Sequence, residues 1–394
     1  MKNRFLCALL IAGLLAGLTG GVATAKEPER KIVTFQSGVS DTDKEDLIKK
    51  VGGSKIKKLD LIDGMAVYLP SKEAEKELDD DDKVLRIDDD IIVEALEGGG
   101  IKVAAPSPAE TLPWGIDRID ADLVWGTTTG DPIKVGIIDT GIDVKHPDLI
   151  VNLKGGVSTV WYTTSYDDDN GHGTHVAGIV GAVDNEIGVI GVGPKIDLYG
   201  IKVLDRRGSG YLSDIVEGLD WSIKNGMQVV NLSLGVDTYN ASFEAAIKRV
   251  SAAGIVIVAA AGNNGGAVGY PAKFAEVIAV SATDSSDKIT TWSSRGTEVD
   301  LAAPGASIYS TYRGAKYKSL SGTSMASPHV AGVAALVLTT AIGTWDLDGD
   351  GIWDPAEVQN KLEATAEQVA PDTTPGKDNL YGSGLVDAEK AVKP

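Results

Sequence analysis

Apolar residues fall into three rhythms along the chain, and each marks a different kind of segment. Residues 5–18, FLCALLIAGLLAGL, form one unbroken apolar run. From 26 to about 97 the apolar stretches are short and mostly alternate with polar residues. KIVTFQSG reads as a strand, and DTDKEDLIKKVGG as a capped helix closing at glycines. KIKKLDLI and MAVYLP flank Asp63-Gly64 as a hairpin. SKEAEKELDDDD reads as a second helix and VLRIDDDIIVEAL as a last strand. The order βαββαβ predicts a small ferredoxin-like α+β unit. GGGIKVAAPSPAE, residues 98–110, is rich in Gly, Pro and Ala and predicts a linker. Over 111–394 the rhythm changes again. IKVGIID, KIDLYGIKVL, QVVNLSL, GIVIVAAAG and EVIAVSAT are continuous β-branched runs separated by helical or turn-rich stretches. Such runs predict an α/β domain around a mostly parallel sheet buried on both faces.

Charge and cysteine content narrow the function. The 394 residues carry a formal net charge of −19, so nucleic acid and anionic membrane are poor partners. MKNR is a short basic start, the apolar run is shorter than the roughly 20 residues a membrane span needs, and Ala23-Thr24-Ala25 is a small-residue cleavage site. Residues 1–25 are therefore expected to be a signal peptide, the protein to be secreted, and no membrane span to remain. The only cysteine, Cys7, leaves with that peptide. Without disulfides, the mature chain depends on its core, on oligomerisation or on metal ions; a monomer is expected. The acidic runs Asp79–Asp82 and Asp88–Asp90 read as solvated faces.

Three segments carry reactive groups. VGIIDTGID leaves Asp139 at the end of a buried strand, NGHGTHVAG puts His172 and His175 at a helix start, and SGTSMASPHVAG puts Ser324 at another. Ligand sites of open α/β sheets gather at the C-terminal strand edges, where an Asp, a His and a Ser can act as orienting group, general base and nucleophile. DTGID, NGHGTHVAG and GTSMASPHVAG closely resemble the signature motifs of the subtilisin family of serine proteases, in the same Asp…His…Ser order. The likeness extends over roughly 109–394, and the small N-terminal unit, 26–97, resembles the family's prosegment.

The resemblance implies a subtilisin-like three-layer fold and an endopeptidase matured by self-cleavage. It makes Ser324 the nucleophile, His172 the base and Asp139 its support, with His175, His146 and His329 as structural hydrogen-bonders. Asn263, after AAAG, matches the family's oxyanion residue, with Asn264 at a turn or pocket rim. Gly208, Ser209 and Gly210, and Ser233, Leu234 and Gly235, match segments that pair with substrate backbone as strands. The second segment, with Ala260, Gly262 and Gly269, would line a roomy neutral pocket for an apolar or aromatic side chain at P1, the residue whose carbonyl is attacked. Ile91–Glu97 would lie in the groove like a product, with self-cleavage near Leu96–Gly98 and the prosegment staying bound as an inhibitor. Two readings compete with a peptidase: an inactive calcium-binding scaffold, and an esterase or amidase for small acyl substrates.

At least two Ca²⁺ sites are expected. The first is implied by the resemblance: Asp148, the Asn185 side chain and the carbonyls of Val183, Ile187 and Val189, with Glu110 where the family commonly has Gln. Asp167–Asp169 are weaker candidates. The second follows from spacing alone. In DLDGDGIWDPAE, Asp346, Asp348 and Asp350 occupy positions 1, 3 and 5 of an EF-hand loop, with Gly351 at the turn. Ile352 would offer its carbonyl, Asp354 would act through water, and Glu357 would close the loop. A single hand without a partner reads as a stabilising clip.

Overall fold

The computed structural model describes residues 28–96, the backbone of 98–104, and residues 109–369 and 376–393. The expected signal peptide lies outside them. The N-terminal unit runs β1 (Glu29–Phe35), α1 (Asp41–Lys50), β2 (Ser54–Leu59), β3 (Gly64–Leu69), α2 (Lys72–Asp79) and β4 (Val84–Asp89), the expected βαββαβ order. Its antiparallel sheet has the order β2-β3-β1-β4. Ser40 Oγ accepts from Asp43 N at 3.1 Å and Ser71 Oγ from Ala74 N at 3.2 Å, so each helix begins on a capping hydroxyl. Strand periodicity sorts the side chains to two faces. Val33, Phe35, Met65 and Val67 pack on Ile48 and Leu78, while Ile32 and Ala66, with Leu59 and Ile62, join the core of the next domain.

The last predicted strand breaks in two. Pairing of β4 with β1 ends at Asp89, and β5 (Ile92–Ala95) enters a different sheet. Between them Asp90 is buried, with its carboxylate accepting from Arg30 Nε at 2.9 Å and from Ser213 N at 2.9 Å, which turns the chain. The linker expectation also needs correction, because 98–104 form β6 (Gly98–Ala104). A partner strand supplies the ladder that its Gly-rich composition does not advertise.

The large domain contains α3 (Trp114–Arg118), β7 (Lys134–Asp139), β8 (Leu153–Ser158), α4 (His172–Gly181), β9 (Asp197–Lys202), β10 (Ser209–Tyr211) and α5 (Leu212–Lys224). It continues with β11 (Val229–Leu232), β12 (Leu234–Gly235), α6 (Ala241–Ala252), β13 (Val256–Ala260), β14 (Ile278–Thr283) and β15 (Leu301–Pro304). It ends with β16 (Ile308–Tyr312), β17 (Lys316–Ser321), α7 (Thr323–Leu338), α8 (Pro355–Thr365) and α9 (Ala388–Val392). The central sheet is parallel and seven-stranded, β15-β14-β13-β11-β7-β9-β8. Residues of α4, α7, α8 and α9 pack on one face and residues of α5 and α6 on the other, so β11, β13 and β14 are buried at every position. This is the expected three-layer subtilisin-like α/β fold. The strand that pairs with β6 is β17, between it and β16.

Candidate active site

β7, α4 and α7 deliver three polar residues to the C-terminal edge of the sheet, where strand ends leave a crevice. Asp139 closes β7, His172 opens α4, and Ser324 is the second residue of α7; all three are fully buried. His172 Nδ1 lies 2.8 and 2.9 Å from the two Asp139 carboxylate oxygens. The carboxylate only accepts, so Nδ1 carries the proton, and Nε2 is left with the lone pair of a base. Thr140 N donates to the same carboxylate at 2.7 Å. Below the helix start, buried Asp168 accepts from Thr140 Oγ1, Asn170 N and Gly171 N, each at 2.9 Å, and from Thr174 N at 3.0 Å. Burial pushes this carboxyl above its usual range. Gly171 holds φ +120°, and a Cβ there would stand 2.3 Å from the Tyr312 ring, so no larger residue can precede His172 in this position.

The fourth residue arrives on a strand end. After β13 the chain turns at Gly262 (φ +122°) into Asn263. Asn263 Oδ1 accepts from Thr323 N and Thr323 Oγ1, both at 2.9 Å. That fixes the amide, and Nδ2 faces the Leu96 carbonyl oxygen at 2.6 Å. Ser324 Oγ lies 2.6 Å from the same oxygen. One carbonyl of the N-terminal segment therefore meets the hydroxyl and the amide together.

That carbonyl is held by strand pairing. β5 lies antiparallel between β10 and β12, with Ser209 opposite Glu94, Gly210 opposite Val93, and Leu234 opposite Ala95. Ala95 N donates to Gly208 O at 2.8 Å and Leu96 N to Ser233 O at 3.2 Å. The Leu96 side chain enters a cleft lined by Gly235, Ala260, Gly262, Asn263 and Gly269. The structure thus brings every predicted groove residue to one peptide segment. Ser233 Oγ also donates to Ser324 O at 2.9 Å, tying the groove strand to α7.

The other histidines face elsewhere. His175 Nε2 donates to Ile308 O and Lys318 O, His146 Nε2 to Lys316 O, and His329 Nδ1 to Met325 O. Burial pushes His175 down to about 3 and His329 down to about 4, so both stay neutral structural donors. Asn264 Oδ1 accepts from Gly266 N and Ser294 Oγ, a turn role at the cleft rim.

Sequence reasoning missed four contributors. Thr323 orients Asn263, Asp168 (expected only as a weaker metal candidate) organises the His172 loop, and Asp237 lines the cleft beside Leu96. The fourth is the acidic run 88–90, expected to be solvated. Asp90 binds Ser213 N and Asp88 Oδ2 accepts from Ser242 Oγ at 2.6 Å, so the N-terminal unit places carboxylates at the starts of α5 and α6. Serine or asparagine at a helix start was the available signal, but its partner lies more than 120 residues away.

Both candidate metal regions are oxygen-rich. Asp148 Oδ1 accepts from Asn185 Nδ2 at 3.1 Å and Oδ2 from Val189 N at 3.0 Å, while Glu110 Oε1 accepts from Asn185 N at 2.8 Å. Val183 N bonds Asp148 O and Ile187 N bonds Asn185 Oδ1, so the 183–189 loop wraps Asp148. Burial first, and then the nearby Asp184 and Asp148, push the Glu110 carboxyl up. Asp346, Asp348 and Asp350 bring one carboxylate oxygen each within 4.8 Å of one another. Gly351 turns at φ +77°, and exposed Ile352 follows it. Asp354 and Glu357 form a reciprocal cap on α8, and buried Glu357 also accepts from Leu347 N at 2.7 Å. Hard oxygen donors suit Ca²⁺ at both places. Asp169, by contrast, pairs with buried Lys202 at 2.6 Å as a brace.

Comparison with known proteins agrees with this geometry. The peptidase S8 model of the subtilase family matches residues 130–384. Subtilisin E of Bacillus subtilis (strain 168) is 39% identical over 400 residues, covering 99% of this chain and 97% of that protein. Subtilisin Savinase of Lederbergia lenta is 45% identical over 287 residues, covering 72% of this chain and 100% of that protein. M-protease of Shouchella clausii (strain KSM-K16) is 46% identical over 287 residues, or 72% of this chain and 71% of that protein. The chain belongs to the subtilase family and is a serine endopeptidase.

Proposed function

We propose that this chain is an exported, calcium-dependent pro-enzyme that cuts itself at Leu96–Glu97 and then hydrolyses polypeptides, with an apolar side chain preferred at P1. The observation that carries the reading is the Leu96 carbonyl oxygen, 2.6 Å from both Ser324 Oγ and Asn263 Nδ2 on a strand paired at both edges. Ser324 Oγ attacks the Leu96 carbonyl carbon, and His172 Nε2 takes its proton. Charge on the oxygen is held by Asn263 Nδ2 and the Ser324 N–H at the start of α7. Collapse breaks the bond to Glu97 N, which receives the proton from His172; water then repeats the sequence to release the acid. Asp139 keeps the imidazole in one tautomer and stabilises its cation. Pairing on both sides of β5 favours extended peptides over small esters, and leaves residues 28–96 in the groove as a product-like inhibitor. The small, uncharged wall residues Gly235, Ala260, Gly262 and Gly269 and Leu96 itself support the apolar preference.

Glu110, Asp148, Asn185 and the carbonyls of Val183, Ile187 and Val189 would hold one Ca²⁺, and the 346–357 loop another. Bound there, Ca²⁺ supplies charge neutralisation that favours the folded chain. The signal-like N-terminus supports secretion, and among the described residues no helix is long and apolar enough to cross a membrane.

The test is maturation itself. Ser324→Ala and His172→Ala should accumulate uncut chain, while His175→Ala, if folded, still cuts. N-terminal sequencing of the wild-type product should begin at Glu97. Normal cutting by purified Ser324→Ala would refute self-cleavage.

A further inference from the structure

The cleft around Leu96 is not wholly neutral. The methyl-bearing end of Leu96 points at Gly235: Leu96 Cδ1 is 3.1 Å from where a Cβ there would sit, and that point is 3.1 Å from Tyr270 O. Val236 and Tyr270 exchange backbone hydrogen bonds at 2.9 and 2.8 Å, which closes one wall. Tyr270 is in turn packed against Tyr239 and Phe274, with ring centroids 5.7 and 4.8 Å away. Past this wall Asp237 Oδ1 stands 3.7 Å from the Cβ position of Gly269. Asp237 lines the same cleft, is exposed, and makes no ion pair among the described residues. The one other acidic side chain in that lining is Glu94, which departs with the prosegment. Space of about 450 Å³ remains beside the leucine.

We propose that Asp237 gives the enzyme a second P1 class, lysine and arginine, beside the apolar residues that Leu96 represents. The inference rests on the peptidase reading of this groove. Leucine ends at Cδ and has no charge to offer the carboxylate. A lysine stem follows the same apolar path, continues through Cε, and brings Nζ to the rim beyond Gly269, where Asp237 meets it. Long basic side chains bury their stems along apolar walls and keep the charged head at the wet end, so the exposed carboxylate is well placed. Gly269 leaves this space free, since a Cβ there would stand 3.2 Å from Val236 O, tighter than an ordinary contact. An exposed pair of this kind is worth a few-fold in rate, and salt screens it.

The experiment uses matured enzyme and peptides Val-Glu-Ala-X-Glu-Gly, which repeat residues 93–98 with leucine, lysine or norleucine as X, and follows hydrolysis of the X–Glu bond. Norleucine has the lysine stem without the charge. Expected is cleavage of all three by wild type, with Asp237→Asn lowering kcat/KM for lysine about 3- to 5-fold and leaving norleucine and leucine within about 2-fold. The lysine advantage should shrink in about 0.5 M salt, and Asp237→Lys should reverse it. A lysine-to-norleucine ratio unchanged in both variants overturns the assignment while the peptidase reading stands. Failure of wild type to cut the leucine peptide overturns both.

Discussion

The two proposed calcium regions reach a similar donor chemistry from opposite directions. The 346–357 loop gathers its carboxylates within twelve residues, and those of Asp348 and Asp350 face solvent. The 110/148/185 region draws on three distant stretches, and Asp148 within it is fully buried and bonded to two backbone or side-chain N–H groups. Exposed acids repel one another weakly through water, so the local loop tolerates its charges and gains modestly from an ion. Buried acids are costly unless paired, so the composite region is structural even before an ion arrives.

The largest effect that tests this contrast is Asp148→Ala. It strands the Asn185 amide and Val189 N–H and removes a ligand, at about 1–3 kcal/mol for each unsatisfied group. A loss of about 10 °C in Tm is expected by calorimetry with calcium present, and a good part of it should persist in chelator. If chelator erases the whole difference, the hydrogen bonds contribute nothing and the contrast fails. Next comes Glu357→Gln. It turns an amide NH2 toward Leu347 N or Asp354 N and weakens the loop closure, and should lower Tm by about 3–6 °C in calcium and by a smaller amount in chelator. Turnover of the folded enzyme should stay within about 2-fold; a large loss of turnover at unchanged Tm would make the loop regulatory.

Smaller still is Glu110→Gln, which keeps the acceptor for Asn185 N but removes charge beside Asp148 and Asp184. Metal-free protein should gain about 1–2 °C while calcium affinity, measured by titration calorimetry, falls a few-fold. Affinity that holds while metal-free Tm drops would remove Glu110 from the ligand set. The smallest is Asp348→Asn, an exposed position whose side chain caps Asp350 N at 3.1 Å. Calcium affinity of the loop should fall a few-fold with Tm in chelator unmoved within about 1 °C.

The same contrast governs what could be read in advance. The clustering of Asp346, Asp348 and Asp350 was legible because an EF-hand pattern is a spacing rule inside one segment. Asp139, His172 and Ser324 were legible because each sits in its own motif at a strand end or helix start. Thr323, Asp168 and Asp237 carried no such mark. Their work depends on which neighbour the fold brings alongside: Asn263 for Thr323, the Gly171 amide for Asp168, the Leu96 cleft for Asp237. Asp90 was misread for the same reason. An acidic run looks solvated until a helix start from another domain lands on it.

The sequence by itself determined the periodicities, and through them the βαββαβ unit and the parallel sheet; its motifs and spacings named the candidate nucleophile, base and calcium donors. These are local properties, set by side-chain type and spacing. Tertiary structure alone decided that the predicted last strand of the N-terminal unit divides at Asp90, that β5 threads between β10 and β12, and that Leu96 is the residue whose carbonyl meets Ser324 and Asn263. Strand partners and buried hydrogen bonds are non-local, and a backbone N–H is satisfied as well by one edge as by another until packing selects between them.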